Sequence, residues 1–189
     1  MASWGSTLFA QVRDCMPGVE FEFHAQRSPV VLDRLRSGEY MVGICTGSPD
    51  ADTDLVSEVI RQEPMVIIPS GLKKIKYRSG ASLDVMTIES RSGAWGSIEE
   101  NMQRLNLNRS TSLESFFAVA QMALSDFGHG LVPTGVAKTL GIADKKLIRL
   151  SAEDLARPVR FVARKSMFAQ PLVRTFYNEV SQLTASIVD

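Results

Sequence analysis

The sequence has 189 residues, of which 44% are hydrophobic and 22% are charged, a balance typical of a globular domain. Its 21 Lys and Arg residues equal its 21 Asp and Glu residues, which disfavours a chain that holds nucleic acid by its own basic charge. Because no apolar run approaches the ~20 residues that span a bilayer, and the first residues lack the features of a signal peptide, we expect a cytoplasmic protein with no membrane partner.

Helix and strand patterns alternate from the start of the chain. Apolar residues at helical spacing predict a helix over 8–16, and alternation of apolar and polar residues predicts a half-buried strand over 19–24. Ser28, followed by proline, predicts the N-cap of a second helix, which ends at Gly38. Two short apolar strands are predicted at 41–45 and 64–68.

The same alternation continues through the rest of the chain. Thr111, Ser112, Leu113 and Glu114 form a capping-box pattern before a helix that runs to Leu124. Strands alternating with helices predict an α/β fold with a mostly parallel sheet covered on both faces. The other predicted elements are strands at 85–88, 130–132, 147–150 and 159–163, and helices at 95–105, 136–140 and 172–183.

Two segments interrupt the alternation, at 71–81 and at 151–158. The first is basic and contains glycine, so it is suited to a crossing between two lobes, and the second is a candidate for the return crossing. Cys15 and Cys45 are predicted to be small buried hydrophobes that form no disulfide, because their spacing resembles neither a redox motif nor a zinc site.

Five stretches of the sequence resemble the effector-binding domains of LysR-type transcription regulators. Residues 32–44, LDRLRSGEYMVGI, resemble the segment "GELDLAI" of that family, with Met41 in place of its aspartate. Residues 63–69 resemble "E.LVLV.P", and 115–133 resemble "S…LVAAGLGIALLP", with His129 in place of an aliphatic residue. Residues 17–19 and 161–165 match further family segments in the same order.

The resemblance implies the fold of type 2 periplasmic binding proteins, with two Rossmann-like lobes. Lobe I would comprise 1–72 and 159–189, and lobe II would comprise 73–158. The family's first strand and its DNA-binding helix-turn-helix domain lie outside this sequence. The implied function is to bind a small-molecule effector in the cleft between the lobes and so control transcription. The implied assembly is a homodimer, or a tetramer in the full-length regulator, that contacts DNA only through the missing domain.

Candidate ligand-binding residues lie at helix starts and strand ends, where free backbone N–H groups favour an anion. Two arginines, one for each lobe, favour an anion or polar acid. The hydroxyl residues could instead be helix caps, the arginines solvated surface, and Trp4 and Trp95 either core or cleft walls. The candidates are Ser6, Thr7, Arg27 and Ser28 in lobe I, and Ser90, Arg91, Ser92, Thr111 and Ser112 in lobe II.

The sequence contains no pattern of an active site. The two histidines, His24 and His129, lie near no candidate nucleophile. We interpret the first as a surface residue and the second as a structural or interface residue, with a ligand-binding or pH-sensing group as the alternative for His129. Metal-ligand spacings and a glycine-rich phosphate loop are also missing, so we expect no enzyme activity, metal or cofactor. The alternatives are an enzyme and a stand-alone solute-binding protein on the same two-lobed scaffold.

Overall fold

A computed structural model describes residues 5–46, 54–78, 80–90, 95–150 and 155–186. Helices and strands alternate between residues 83 and 139, as the sequence predicts, but not through the whole of these ranges. The helices are α1 (Gly5–Cys15), α2 (Ser28–Ser37), α3 (Trp95–Arg104), α4 (Phe116–Leu124), α5 (Thr134–Thr139), α6 (Lys165–Phe168) and α7 (Pro171–Ser186). The strands are β1 (Val42–Thr46), β2 (Leu55–Ile68), β3 (Leu83–Ile88), β4 (Leu107–Leu113), β5 (His129–Pro133), β6 (Ile148–Arg149) and β7 (Ala156–Arg164).

The described residues form two compact units. Unit 1 contains 5–61 and 158–186, and unit 2 contains 62–157. The first division therefore lies inside β2, earlier than the boundary at 72 that the resemblance implies, whereas the second lies one residue from the expected position. The difference arises because the turn after β2 belongs to unit 2: the backbone N–H of Ser70 donates to Nδ1 of His129 at 3.0 Å, and Leu72 packs on the core of unit 2.

The sheet of unit 1 has the order β1-β7-β2. β1 and β7 are antiparallel, from Val42 opposite Ala163 to Thr46 opposite Val159. Alternate residues of β7 face two helical layers: Phe161 packs with α1 and α7, and Val162 packs with α2. Apolar residues from the chain's start and end therefore share one core.

The sheet of unit 2 has the order β2-β5-β3-β4, and β6 also pairs with β2. β3 is parallel to both β4 and β5, but β2 is antiparallel to β5 and β6. The prediction of a mostly parallel sheet is therefore wrong, because β2 enters this unit in the opposite direction to β5. Helices α3, α4 and α5 supply the remaining core, which includes the buried side chains of Trp95 and Phe116.

Two predictions about local structure are wrong. Residues 19–24 form no strand, because no other described segment pairs with their backbone. Residues 111–114 are not a capping box: Thr111 and Ser112 lie in β4, and the N-cap of α4 is Ser115, whose Oγ accepts a hydrogen bond from the N–H of Phe117 at 3.2 Å.

The division between Arg157 and Pro158 lies next to a buried ion pair of unit 2. Nε and Nη2 of Arg157 donate to Oε2 of Glu63 at 2.8 and 2.6 Å. The Glu63 side chain is only 1% exposed, whereas that of Arg157 is 15% exposed. The guanidinium also lies 5.1 Å from the ring centroid of Phe116, so the pair joins β2, β7 and α4.

Close packing in unit 1 requires glycine in β1. A Cβ on Gly43 would lie 2.6 Å from Cγ1 of Val31 and 3.1 Å from Cδ1 of Leu35, both on α2. Because such contacts are shorter than van der Waals distances, a larger residue would displace α2 from the sheet. The helix itself ends at Gly38, which adopts a left-handed conformation with φ 88°.

The two cysteines lie in different environments. Cys45 is buried in β1, as predicted, and burial raises the pKa of its thiol to about 12. Cys15 is exposed at the end of α1, so the prediction that it is buried is wrong. Neighbouring protein atoms that displace some of the water around the exposed thiol, and the nearby carboxylate of Glu179, raise the pKa of Cys15. Neither thiol forms a disulfide in this structure.

Candidate functional site

In unit 1, Ser28 lies beside the carboxyl end of β1. Its Oγ accepts a hydrogen bond from the backbone N–H of Thr46 at 3.1 Å, and the two side-chain hydroxyls are 3.4 Å apart. Ser28 is the first residue of α2 rather than its N-cap, which is Arg27 in an extended conformation. The interpretation of Ser28 as a cap is therefore wrong, and its hydroxyl instead attaches the start of α2 to a strand end.

Arg27 adds charge at this position. Its side chain is exposed, and its backbone carbonyl accepts from the N–H of Val31 at 3.1 Å, which begins the hydrogen bonding of α2. Pro29, the second residue of α2, has no N–H to donate. The first turn of the helix therefore has one backbone donor fewer than usual, and the Ser28 and Thr46 hydroxyls lie beside it.

The other two candidates in unit 1 lie at the start of α1. Ser6 and Thr7 are exposed in the first turn of this 11-residue helix, next to the buried Gly5. Within the described ranges, no hydrogen bond connects them with Ser28 or Thr46. The structure therefore places them at a helix start, as predicted, but as a separate pair.

In unit 2, the candidates lie at the ends of two parallel strands. Ser112 of β4 is opposite Thr87 of β3, and Ser90 follows β3 by two residues. The N–H of Glu89 donates to the carbonyl of Leu113 at 2.9 Å, so the two chains remain paired up to this edge. Ser90 and Ser112 are both exposed there.

The register of β4 determines where its hydroxyl groups point. Val85 is opposite Arg109, but Met86 is opposite Thr111, so Ser110 is an extra residue in β4. Such a bulge changes which face the following side chains occupy. Thr111 is half-buried and Ser112 exposed, on alternate sides of the strand. Arg91 and Ser92, the remaining candidates, lie outside the described residues.

Two hydroxyl residues that the sequence analysis did not select lie at comparable positions. Thr46 ends β1 and contacts Ser28, and Thr134 follows β5. Thr134 is 1% exposed and its hydroxyl donates to the carbonyl of Pro64 at 3.0 Å, so it is occupied by the fold. Thr46 is half-buried and could have been found from its position as the last residue of an apolar strand.

Other residues of interest have structural roles. Trp95 is only 8% exposed in the core of unit 2, with Arg109 above its ring at 4.5 Å, so it is a core residue rather than a cleft wall. Trp4 lies outside the described residues. His129 accepts the N–H of Ser70, and His24 stacks on Tyr40 with ring centroids 5.0 Å apart.

A polar cluster stabilises the turn after β2. The carboxylate of Asp126 accepts hydrogen bonds from the hydroxyl of Ser70 at 2.7 Å and from the ammonium of Lys73. These hydrogen bonds, with that from Lys73 the stronger influence, lower the pKa of Asp126 below its usual value. The cluster is exposed and fully paired, which fits a structural role.

The described residues contain neither a helix that could cross a membrane nor a group of three or more His, Cys, Asp or Glu side chains arranged to hold a metal. What they present instead is hydroxyl groups at strand ends in each unit, with Arg27 beside one set. Such groups can donate hydrogen bonds to an oxyanion, and a guanidinium strengthens that binding by its charge.

Solved structures share this fold at low sequence identity. The effector-binding domain of QuiR in complex with shikimate has a TM-score of 0.76 and 14% identity, over 96% of this chain and 90% of that one. The regulatory domain of CcmR from Synechocystis PCC6803, in complex with 2-PG, has a TM-score of 0.75 and 16% identity, over 97% and 92%. The sulfate-bound regulatory domain of an OxyR2 mutant from Vibrio vulnificus has a TM-score of 0.72 and 18% identity, over 98% and 90%.

These similarities confirm the α/β fold of periplasmic-binding-protein-like regulatory domains. No curated protein sequence matches the chain. The family model of the LysR substrate binding domain matches residues 2–185, almost the whole sequence. The chain therefore belongs to the LysR substrate-binding domain family.

Proposed function

We propose that this domain senses a small organic anion or polar acid, which it binds without chemical change. The observation that carries the proposal is the placement of hydroxyl groups at or beside strand ends: Ser28 with Thr46 in unit 1, and Ser90 and Ser112 in unit 2. The ligands of the similar structures support it, since shikimate and sulfate are both anions.

The polar groups have the chemistry that an oxyanion requires. Hydroxyls donate one hydrogen bond each and adapt by rotation, whereas the guanidinium of Arg27 donates several hydrogen bonds and carries a permanent charge. A hydrogen bond to a charged group contributes about 1.5–3 kcal/mol net. We propose that Ser6, Thr7, Arg27 and Ser28 of unit 1, and Ser90, Arg91, Ser92, Thr111 and Ser112 of unit 2, all contribute to effector binding.

The test begins with a thermal-shift screen of small organic acids, amino acids and aromatic metabolites, followed by titration calorimetry with the compound that stabilises the domain most. We expect Arg27→Ala and Arg91→Ala each to weaken binding about tenfold or more, because a loss of 1.4 kcal/mol is a factor of ten. Arg13→Ala is the matched control, since Arg13 is exposed on α1 and pairs with its exposed neighbour Asp14. Unchanged affinity in both Arg27→Ala and Arg91→Ala would refute the proposed site.

The hydroxyl groups are tested in the same way. Ser28→Ala and Ser112→Ala should each weaken binding of the same compound, by about threefold to tenfold, because each removes one donor. The fold should persist in both variants, which circular dichroism checks. If only the variants of one unit weaken binding, the effector is held by that unit alone.

A second reading of the same fold is an enzyme, and a third is a solute-binding protein for transport. Incubation of the domain with the stabilising compound, followed by mass spectrometry of that compound, tests whether the domain is an enzyme. We expect the compound to remain unchanged. A product that forms only in the presence of the protein would establish catalysis.

We further propose that the domain acts in the cytoplasm as part of a dimeric regulator, tetrameric at full length, which contacts DNA through a helix-turn-helix domain. Membership of the LysR family supports this proposal.

The proposed contact is two-fold symmetric and uses α1 and α4, where Phe9 and Phe117 are half-buried within a single chain. Light scattering should show a dimer at high protein concentration, and Phe117→Asp should shift it towards monomer. A monomer at all concentrations would contradict the proposed interface.

A further inference from the structure

A basic segment of unit 2 has no part in the proposed effector site. From the sequence, residues 71–81 were expected to cross between two lobes, but this part of the chain belongs to unit 2, which begins at Gln62. Four of the six residues from Lys73 to Arg78 are cationic. The segment therefore carries a concentration of positive charge that neither a crossing between lobes nor the effector site explains.

The side chains of this segment alternate in exposure. Ile75 and Tyr77 are half-buried, and Tyr77 packs on the core of unit 2. The residues on either side of them are exposed. An alternation with a period of two residues is that of an extended chain, whose successive side chains point to opposite sides about 3.3 Å apart. Three cations therefore form a line on the exposed side, here called the basic row: Lys74, Lys76 and Arg78.

The basic row has no acidic partner in the part of the chain that the structure describes. Its three side chains make neither an ion pair nor a hydrogen bond with any described residue, whereas the preceding Lys73 pairs with Asp126. Residues 74–77 also make no backbone hydrogen bond within the described ranges. Both the charges of the row and the main-chain groups between them are therefore available to a partner.

An exposed aromatic residue lies at one end of the row. The carboxylate of Asp126 accepts hydrogen bonds from the hydroxyl of Ser70 at 2.7 Å and from the ammonium of Lys73, which places the next residue, Phe127, near the start of the row. Phe127 is 67% exposed, more than any other large apolar side chain among the described residues. Because aromatic residues are enriched at protein interfaces, Phe127 is suited to be an apolar contact point beside the charges.

We infer that the basic row and Phe127 bind an extended acidic segment of a partner protein. Every second side chain of an extended peptide lies on one side, at the same spacing as the cations of the row. Aspartate or glutamate at alternate positions would therefore lie opposite Lys74, Lys76 and Arg78 as opposite-charge pairs. An apolar residue at the end of the peptide would cover Phe127. Because exposed ion pairs are individually weak, binding depends on all of these contacts together.

A nucleic acid fits these features less well. Strong binding to a phosphate backbone typically uses about 6–10 contacts, whereas the row supplies three cations. The 21 basic residues of the chain are balanced by 21 acidic ones, so the chain adds no net attraction for a polyanion. A phosphate backbone also offers no apolar group that could cover Phe127. These differences favour an acidic peptide.

The first experiment tests the spacing of the charges. Fluorescence anisotropy at low salt measures binding of the 189-residue chain to a labelled peptide, leucine-serine-glutamate-threonine-glutamate-threonine-glutamate-serine-leucine. The control peptide has the same composition with the glutamates adjacent, leucine-serine-threonine-glutamate-glutamate-glutamate-threonine-serine-leucine. We expect the alternating peptide to bind at least about fivefold more tightly, and to bind less tightly as salt is added, because salt screens exposed charges. Equal affinities, or no binding of either peptide, would overturn the inference.

The second experiment locates the bound peptide on the row. Lys74→Ser combined with Lys76→Ser should weaken binding of the alternating peptide by about tenfold. The matched control, Lys145→Ser combined with Lys146→Ser, removes the same charge from exposed positions elsewhere in unit 2. Circular dichroism checks that both variants fold. An equal loss of affinity in the two variants would mean that only net charge matters, and would overturn the inference.

The third experiment tests the apolar contact and the class of partner. Phe127→Ser should weaken binding of the alternating peptide by about threefold, whereas Leu172→Ser, which changes an exposed apolar residue of unit 1, should leave it unchanged. Single-stranded and double-stranded DNA oligonucleotides are titrated in parallel. If DNA binds more tightly than the peptide and loses affinity in the Lys74→Ser, Lys76→Ser variant, the row is a nucleic-acid surface and the inference is overturned.

Discussion

The buried ion pair between Glu63 and Arg157 should contribute strongly to the stability of unit 2. The critical change is Arg157→Met, which keeps most of the apolar stem but removes the charge. It would leave the carboxylate of Glu63, at 1% exposure, without the two hydrogen bonds of 2.8 and 2.6 Å. Removing one partner of a buried pair costs about 3–5 kcal/mol.

The surroundings of the Glu63–Arg157 pair narrow the expected cost of about 3–5 kcal/mol. Arg157 is 15% exposed, so water can reach the vacated space and lower the cost. The lost contact with the ring of Phe116, 5.1 Å from the guanidinium, adds about 0.5–1 kcal/mol. We therefore expect Arg157→Met to lower the free energy of unfolding by about 3 kcal/mol. The double variant Glu63→Met with Arg157→Met should recover most of that loss, because no charge then remains buried.

Urea unfolding followed by tryptophan fluorescence measures these differences, since Trp95 lies in the core of the same unit. If the free energy of unfolding falls with urea concentration at the same slope in each variant, the difference between urea midpoints gives the change in the free energy of unfolding. The reasoning would be refuted if Arg157→Met cost less than about 1 kcal/mol, or if the double variant were less stable than the single one, since either result would mean that burial of the Glu63 charge is not the dominant cost.

Three further predictions concern other residues. Iodoacetamide should alkylate Cys15 but not Cys45 in the native protein, because burial raises the pKa of Cys45 to about 12, and mass spectrometry showing both sites modified would contradict this. The carboxyl of Asp126 has a folded-state pKa below its usual 3.8, so its contribution to stability is present above that pH and is lost as the pH falls through the lower value. The urea midpoint of the protein should therefore differ less between about pH 6 and about pH 2 in Asp126→Asn than in the unmodified protein. An equal difference in the two proteins would contradict the stabilising role of the Asp126 carboxylate. Gly43→Ala should lower the free energy of unfolding by about 1–3 kcal/mol, whereas Gly96→Ala, in a helix with open space around it, should raise it by up to about 1 kcal/mol.

Six of the seven described helices could be predicted from the sequence because their apolar residues repeat at helical spacing, whereas the four-residue α6 was not predicted. Most strands could also be placed, although β2 extends from Leu55 and only its last five residues were predicted. Its first part mixes charged and apolar residues without strict alternation, because it is only partly buried. The helices and the apolar strands depend on local pattern, which is what a single sequence displays.

The errors concern features that depend on distant parts of the chain. β4 is polar and exposed along most of its length, so it has no apolar pattern, and its pairing with β3 joins residues more than twenty positions apart. Residues 19–24 have the alternation of a strand but no described partner. The contact of Ser28 with Thr46, 18 residues away, likewise cannot be read from local sequence.

The pairing of β1 with β7 has a consequence for synthesis of the protein. Unit 2 is one continuous stretch of chain, so it can complete its core as soon as Arg157 has left the ribosome. Unit 1 cannot, because Val42 must wait for Ala163, which is made more than one hundred residues later. Until then its apolar first helices have no sheet to cover and are exposed to chaperones and to aggregation. Slow translation of β7 would therefore affect unit 1 more than unit 2.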